Sequence, residues 1–534
     1  MAFSHWLSRV VCKLLAIGGV AVCFALPAQA QVTAFKQAVA EAAAGDAAIA
    51  TFYRERAYTP IWTRDVDQAR RVALIEALRE APLHGLPVSD YAPNAVISQM
   101  RAARTVADMG ALEVYLTRTF LEYARDVQTG VLTPGEVDDE IKREVPLRDR
   151  GALLMEFGAS AAPGAYMDAL PPATQEYTRL MKQRRVLEEL MAGGGWGATV
   201  QARALEIGDR GPAVVALRNR LIAMGHLERT TTETYDLAIS QAVRRFQAAN
   251  GLEEDGVAGA GTLAEINKGV DTRLAQVHVA MERERWINRP LGDRHIWVNL
   301  TDFTAQVRDH GVTTFKTRSV IGARDSDRRS PEFSDEMEHM VINPSWYVPR
   351  SIATKEYLPQ LKANPNAVGH LEITDVRGRR VNRAAVDFTQ FTQRNFPFDM
   401  RQPPSRSNAL GLVKFMFPNK YNIYLHDTPQ KSLFAREVRA FSHGCIRLND
   451  PFDFAYALLA AQEADPEGFF QAKLRTGVEA QVDLVEPVPV HIVYRTAFTT
   501  PTGELHFRRD VYGRDARIWD ALAAQGVALG APRG

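Results

Sequence analysis

The chain has 534 residues, with 64 Lys and Arg against 63 Asp and Glu, a formal net charge of +1 and an apolar fraction of 46%. That balance excludes a strongly basic nucleic-acid binder and a charge-rich disordered chain, and at roughly 150 residues per domain the length suggests about three globular domains. The only cysteines are Cys12, Cys23 and Cys445, too few for a disulfide framework.

Arg9 and Lys13 precede an apolar run from Leu14 to Leu26, and Ala28-Gln29-Ala30 places small residues at the spacing a signal peptidase reads. The pattern predicts an export signal over residues 1–30. The run is about thirteen residues, short of the roughly twenty that a spanning helix needs. Once this segment is removed Cys445 stands alone, which rules out an intramolecular disulfide and a metal site with several cysteine ligands. A lone thiol in an exported protein is expected to do chemistry.

Residues 31–195 read as a helical scaffold, because Leu74, Ile75 and Leu78, then Leu112, Tyr115, Leu116, Phe120 and Leu121, recur at helical spacing. His84 has no ligand-type residue at metal spacing beside it and is read as a packing residue. The stretch AGGGWGAT, Ala192–Thr199, marks a boundary.

Over 203–268 the pattern changes to a compact bundle of three short helices. A turn at Gly208–Pro212 feeds a helix carrying Val214, Leu217 and Leu221; a second helix carries Ala242, Val243 and Phe246; a third starts near Thr262. The order GDRGPAVVALRNRLIAMGHL, YD, AVRRFQAANGL, DGVAG, TL resembles the peptidoglycan-binding type 1 module. One departure is Ala258-Gly259, where members of that family commonly show a Gly-Pro turn pair.

A helical connector, Thr272–Arg289, leads to a mainly β domain at 293–490. His295–Arg308 reads as one alternating strand, and further strand signals lie in Thr313–Gly322, in HMVINP and in Leu410–Pro418. A polar insertion over about 347–407 is long enough to form a lid, and 491–534 reads as a C-terminal extension. The expected fold class is therefore multidomain α+β.

Within this domain the run YNIYLHDTPQKSLFAREVRAFSHGCIRLN, Tyr421–Asn449, gathers the reactive side chains. A nucleophilic thiol needs a base, positive charge to favour its thiolate, and donors for the oxyanion. His426 and His443 offer the base and Arg447 the charge. In a strand-like reading residues 443, 445 and 447 face one way, and the N–H groups around Gly444 and Cys445 face an oxyanion if the chain turns there. The residues alone leave open which histidine is the base, and leave a Cys-His-Asp triad through Asp427 as an alternative. No metal or organic cofactor is called for.

His426-Asp427 with SHGCIRL, Ser442–Leu448, resembles the catalytic signature of the L,D-transpeptidase family, and the whole order of segments is similar to its large periplasmic members of the YcbB type. The resemblance implies a β-rich catalytic fold with the insertion as a capping subdomain. It gives Cys445 as nucleophile, His426 as base oriented by the main-chain carbonyl of Asp427, and His443 beside the thiolate. It implies a tetrapeptide stem of peptidoglycan as donor, a second stem as acceptor, 3-3 cross-links as product, and acylation by carbapenems. Arg436, Arg439 and Arg447 are candidates to meet stem carboxylates. The rival readings are an L,D-carboxypeptidase or thiol peptidase acting on the stems, and a non-catalytic wall-binding protein.

Overall fold

The computed structural model describes residues 26–530, with side chains from residue 33 onward. Residues 1–25 of the expected export signal lie outside them. Among the described residues no helix is long and apolar enough to cross a membrane.

The chain forms two compact units. The stretch read as one helical scaffold is divided between them: 92–123, 148–168 and the residues before 80 form the first unit, whereas 80–91, 124–147 and everything from 169 onward form the second. In the first unit the buried Glu113 carboxylate organises a turn of the chain. It accepts hydrogen bonds from Ile61 N–H (2.6 Å), Thr63 N–H (3.0 Å) and the Tyr53 hydroxyl (2.8 Å), while Phe120 stacks on Phe157 beside Trp62.

The small bundle of the second unit has helices Pro212–Ala223, Leu237–Ala249 and Ala260–Ile266. Asp236 caps the second helix through Ile239 N–H (3.0 Å), supplying one of the acceptors a helix start lacks. Val214, Leu217, Leu221, Val243 and Phe246 make its core. Ala258, in place of the family's turn pair, is fully buried and bridges to Leu205.

The expected connector is a helix, Val270–Trp286, but it is a central strut and not a linker, since Glu282, Arg283, Glu284 and Arg285 are all buried. Each finds a partner: Arg285 pairs with Glu282 (2.6 Å), Arg283 with Glu332 (2.5 Å) and Asp515 (2.8 Å), and Glu284 with Arg495. Tyr177, Leu180 and Leu187 of helix Gln175–Ala192 pack against Leu274, Val277 and Met281 of the same strut.

The strands of this unit are β1 (Arg294–Asn299), β2 (Thr304–Asp309), β3 (Val312–Gly322), β4 (Phe333–Ile342), β5 (Trp346–Tyr347), β6 (Glu372–Thr374), β7 (Asp399–Gln402), β8 (Val413–Met416), β9 (Leu425–His426), β10 (Ala440–Ser442), β11 (Ile446–Leu448), β12 (Ala480–Val493), β13 (Ala497–Thr499) and β14 (Leu505–Phe507). The main sheet runs β10-β3-β11-β9-β8-β4-β12-β1-β2, and β2 pairs back onto β3, so the sheet closes into a barrel with β10 outside the ring. Ile296, Val298, Val307, Met340, Phe415, Leu425, Ile446 and Ile492 point into its core.

The run His295–Arg308 is a hairpin, β1 and β2, instead of one strand. Asn299 Oδ1 accepts from Thr301 Oγ1 (3.1 Å) and Arg495 N–H (3.0 Å), and Phe303 takes φ 53°, which together turn the chain. The insertion carries its own sheet, β5-β7-β6, and its own core of Trp346, Leu358, Leu361, Ile373, Phe388 and Met400. Residues 491–530 pack into the second unit and do not form a free extension: β12 continues to Val493 in the barrel, and Arg514 is fully buried against Glu332 (3.1 Å).

Breaking a buried ion pair leaves an uncompensated charge and costs about 3–5 kcal/mol. Glu332→Gln, which leaves Arg283 with Asp515 and Arg514 with Asp138, is therefore expected to lower stability by up to about that amount, read as the midpoint shift of urea unfolding. An unchanged midpoint would show that the barrel does not depend on this network.

Candidate active site

Strand β9 lies parallel to β11, with Leu425 opposite Ile446 and His426 opposite Arg447. Leu425 and Ile446 fill the core, so by the period-two rule Tyr424, His426, Cys445 and Arg447 all face the outer wall of the barrel. This register brings the sequence-proposed thiol, imidazole and guanidinium to one surface.

His426 is buried, and its Nδ1 lies 2.5 Å from the main-chain carbonyl of Asp427. Donation to that carbonyl puts the proton on Nδ1 and leaves Nε2 as an acceptor. The Asp427 carboxylate is used elsewhere, accepting from Leu412 N–H (2.9 Å) and Lys431 Nζ (2.8 Å), which speaks against a Cys-His-Asp triad. Burial, with the Arg447 charge second, pushes His426 down to about 3, so the ring is neutral.

The Cys445 side chain is half-buried, and its S–H points to Asn422 O at 3.5 Å. Burial pushes the thiol up to about 11, outweighing the Tyr424 hydrogen bonds and the Arg447 charge that pull it down. The Arg447 charge favours the thiolate as expected, but desolvation outweighs it and the resting group is a thiol.

The chain turns at Gly444, φ 110°, where an added Cβ would lie 3.2 Å from Ile423 Cδ1. Its N–H is taken by Ser442 Oγ (3.2 Å), and its carbonyl accepts from Ser330 Oγ (2.6 Å). Among the described residues the Cys445 N–H makes no hydrogen bond, so of the two amides expected to face an oxyanion it is Cys445 that is available.

His443 is held from the insertion. Its Nε2 lies 2.5 Å from Glu356 Oε1. Glu356 sits in a π-helical turn, Ala353–Tyr357, of the insertion and also meets Arg328 (3.2 Å). Arg447 donates to Gln430 Oε1 (2.7 Å) while its Nε is buried without a partner. A cavity of about 330 Å³ opens beside it, lined by Trp346, Tyr357 and His370 of the insertion and by Thr428, Gln430 and Arg447. Of the other arginines, Arg439 braces the backbone carbonyls of Ser319 (3.1 Å) and Phe303 (3.2 Å), and Arg436 is exposed.

Tyr424 is the residue that the sequence reading passed over. Its hydroxyl lies beside the Cys445 sulfur and the Trp346 indole, and it pulls the thiol down against the larger effect of burial. Its place two residues before His426, just ahead of β9, was the available signal. Trp346 and Glu356 gave none, because they belong to the insertion and arrive by tertiary contact.

These protonation states predict a slow thiol. The rate of Cys445 alkylation by iodoacetamide should climb about tenfold per pH unit between 7 and 10, because the thiolate fraction grows until about 11. A rate already saturated at pH 7 would overturn the assignment of a neutral thiol.

Comparison with known proteins falls on the same segments. Residues 293–476 match the family described as “L,D-transpeptidase catalytic domain”, 210–266 that described as “Putative peptidoglycan binding domain”, and 47–183 a “Scaffold domain”. A protein of Haemophilus influenzae named “Putative L,D-transpeptidase” is 32% identical over 258 residues, 46% of this chain and 50% of that protein. The chain thus spans about half the length of the curated relative it matches. Solved structures of an L,D-transpeptidase from Xylanimonas cellulosilytica (14% identity, 55% of this chain, 98% of that one, TM-score 0.17) and of one from Stackebrandtia nassauensis (12%, 56%, 97%, TM-score 0.22) also align.

Proposed function

We propose that this chain, which carries an L,D-transpeptidase catalytic domain at 293–476 and a peptidoglycan-binding domain at 210–266, forms 3-3 cross-links in peptidoglycan through a thioester on Cys445. The observation that carries the reading is the shared outer wall of His426 and Cys445, with His426 Nδ1 fixed by the Asp427 carbonyl so that Nε2 is the basic atom. Domains that act on peptidoglycan imply work in the periplasm or cell wall, and the segment 1–30 would export the chain there.

The site is one of general base catalysis and not of a pre-formed ion pair, because the thiol is held near 11 and the imidazole near 3. Sγ attacks the carbonyl between the L-centre of the third, diamino acid residue and the terminal D-alanine as His426 Nε2 takes the thiol proton. The oxyanion forms beside the Cys445 N–H. Collapse breaks the C–N bond, and the D-alanine amine leaves with the proton returned from His426. An amine of a second stem then attacks the thioester, giving its proton to His426, and the thiolate departs to recover it. The unpartnered Arg447 Nε beside the cavity is suited to a stem carboxylate. Water in place of the amine would give L,D-carboxypeptidase chemistry at the same site.

Purified protein incubated with tetrapeptide muropeptides should yield cross-linked dimers and D-alanine. Free tripeptide alone would make it a peptidase, and unchanged substrate a wall-binding protein. Cys445→Ala should abolish turnover. His426→Gln should slow acylation by a carbapenem, followed by intact-protein mass, on the order of a hundredfold or more, and its residual rate should rise with pH as the thiol ionises unaided. His443→Gln, which keeps the base, should retain the parental pH profile. Wild-type acylation in His426→Gln would refute the assignment of the base.

A further inference from the structure

A cavity of about 820 Å³ lies away from Cys445. Its floor is the outer face of β1, β2 and β3, where the register sets Trp297 beside Gln306 and Gln306 beside Lys316, with Arg308 and Arg318 on the same face. Its roof is the peptidoglycan-binding domain, through Ala248 and Gly251–Glu254, and a side wall is the β13–β14 hairpin. Among the acids lining it, Glu176, Asp302 and Glu437 are already paired with Arg179, Arg508 and Arg509. Glu253 and Glu254 stand at the rim.

Five lining cations, Arg308, Lys316, Arg318, Arg436 and Arg439, have no carboxylate in ion-pair contact among the described residues; Arg439 is taken up by backbone carbonyls, which leaves the other four to the cavity. Arg308 is built into place: its guanidinium stacks on Trp297 (4.8 Å), whose ring also carries Arg495 (4.6 Å), and its Nε donates to Gln306 Oε1 (3.0 Å). Its terminal nitrogens are left for the cavity, and burial with the Arg495 charge holds it down at about 10. Bringing like charges together in a half-enclosed space is unfavourable unless an anion completes it.

The position of the cleft identifies the anion. Val320 lies opposite Arg447 in the catalytic wall, and Arg318 is two residues back along β3, about 7 Å away at the rise of a strand. A chain held by the peptidoglycan-binding domain and reacting at Cys445 therefore passes over these cations. We propose that the cleft binds the carboxylate-bearing peptide stem of a peptidoglycan chain next to the reacting pair, with Arg308, Lys316, Arg318 and Arg436 as its ligands. This rests on the function proposed above and adds a second stem-binding site to it. Bidentate guanidinium–carboxylate contacts supply the selectivity.

The test uses the full chain with Cys445→Ala, which blocks turnover, and a soluble disaccharide tripeptide as probe. Adding R308Q, K316Q and R318Q should weaken binding of the probe at least tenfold, and amidating the probe's carboxylates should weaken its binding to the parent by a similar factor. With Cys445 restored, the triple variant should still be acylated by a carbapenem at the parental rate, which separates failure of the cleft from failure of the catalytic reading. Should the triple variant misfold, K316Q with R436Q, both at exposed positions, repeats the measurement with an expected loss of a few fold. Unchanged binding in the folded variants would overturn the proposal, as would displacement of the probe by equimolar inorganic phosphate, which would make the cleft a free-phosphate site.

Discussion

Four consecutive charged residues, Glu282–Arg285, buried in one helix are the constraint on which the second unit depends. Each would be prohibitively costly to bury alone, so every partner must be present and correctly aimed. Arg283 reaches Glu332 before β4 and Asp515 near the C-terminal helix, Glu284 reaches Arg495 after β12, and Arg273 on the same helix reaches Glu265 (3.0 Å) of the peptidoglycan-binding domain. One helix thereby fixes the register of the barrel, its C-terminal segment and the small bundle together. The same set of charges reaches the active site: Arg514, paired with Glu332, donates to Ser330 O (2.9 Å), and Ser330 Oγ holds the carbonyl of Gly444.

At the site, the dominant electrostatic effect is desolvation. It disfavours charge on both reacting groups, raising the thiol and lowering the imidazole, and the nearby Arg447 is too weak to reverse it on the sulfur. A thiol held neutral is protected from oxidation and stray alkylation, since the thiolate is the reactive form. In the proposed mechanism reactivity waits for a bound carbonyl to receive the electrons while His426 takes the proton. The insertion takes part in this environment, because Trp346 supports Tyr424 at the sulfur and Glu356 holds His443.

Much of this was legible in the sequence. The small bundle followed from helix spacing and turn residues, and the pairing of His426 with the cysteine motif followed from local patterns whose geometry a strand's period fixes. What was not legible depended on contacts distant in the chain. The hairpin at 295–308 passed for one strand although its inward positions change parity, from Ile296, Val298 and Leu300 to Phe303, Ala305 and Val307; that slip was the sign of a turn. The strut at 270–286 passed for a linker because its charges match an exposed helix until their distant partners, 49 residues on for Glu332 and 232 for Asp515, are seen. How strongly desolvation acts on the thiol was not legible, because nearby charge can be counted in a sequence and burial cannot.

The hydrogen bonds behind the cysteine loop impose an order on its assembly. Tyr512 donates to the carbonyl of Gly322 (2.6 Å) at the end of β3, its oxygen accepts from Ser330 N–H (3.3 Å), and Arg514 secures the other side of Ser330. Both residues follow Cys445 by about seventy positions in the chain. A chain threaded across a membrane from its N-terminus presents its thiol before the parts that hold the loop have emerged. Under the proposed export and function, Cys445 gains its working geometry only after the segment through Arg514 has crossed and folded back, and a chain still in transit cannot act on the wall it is entering.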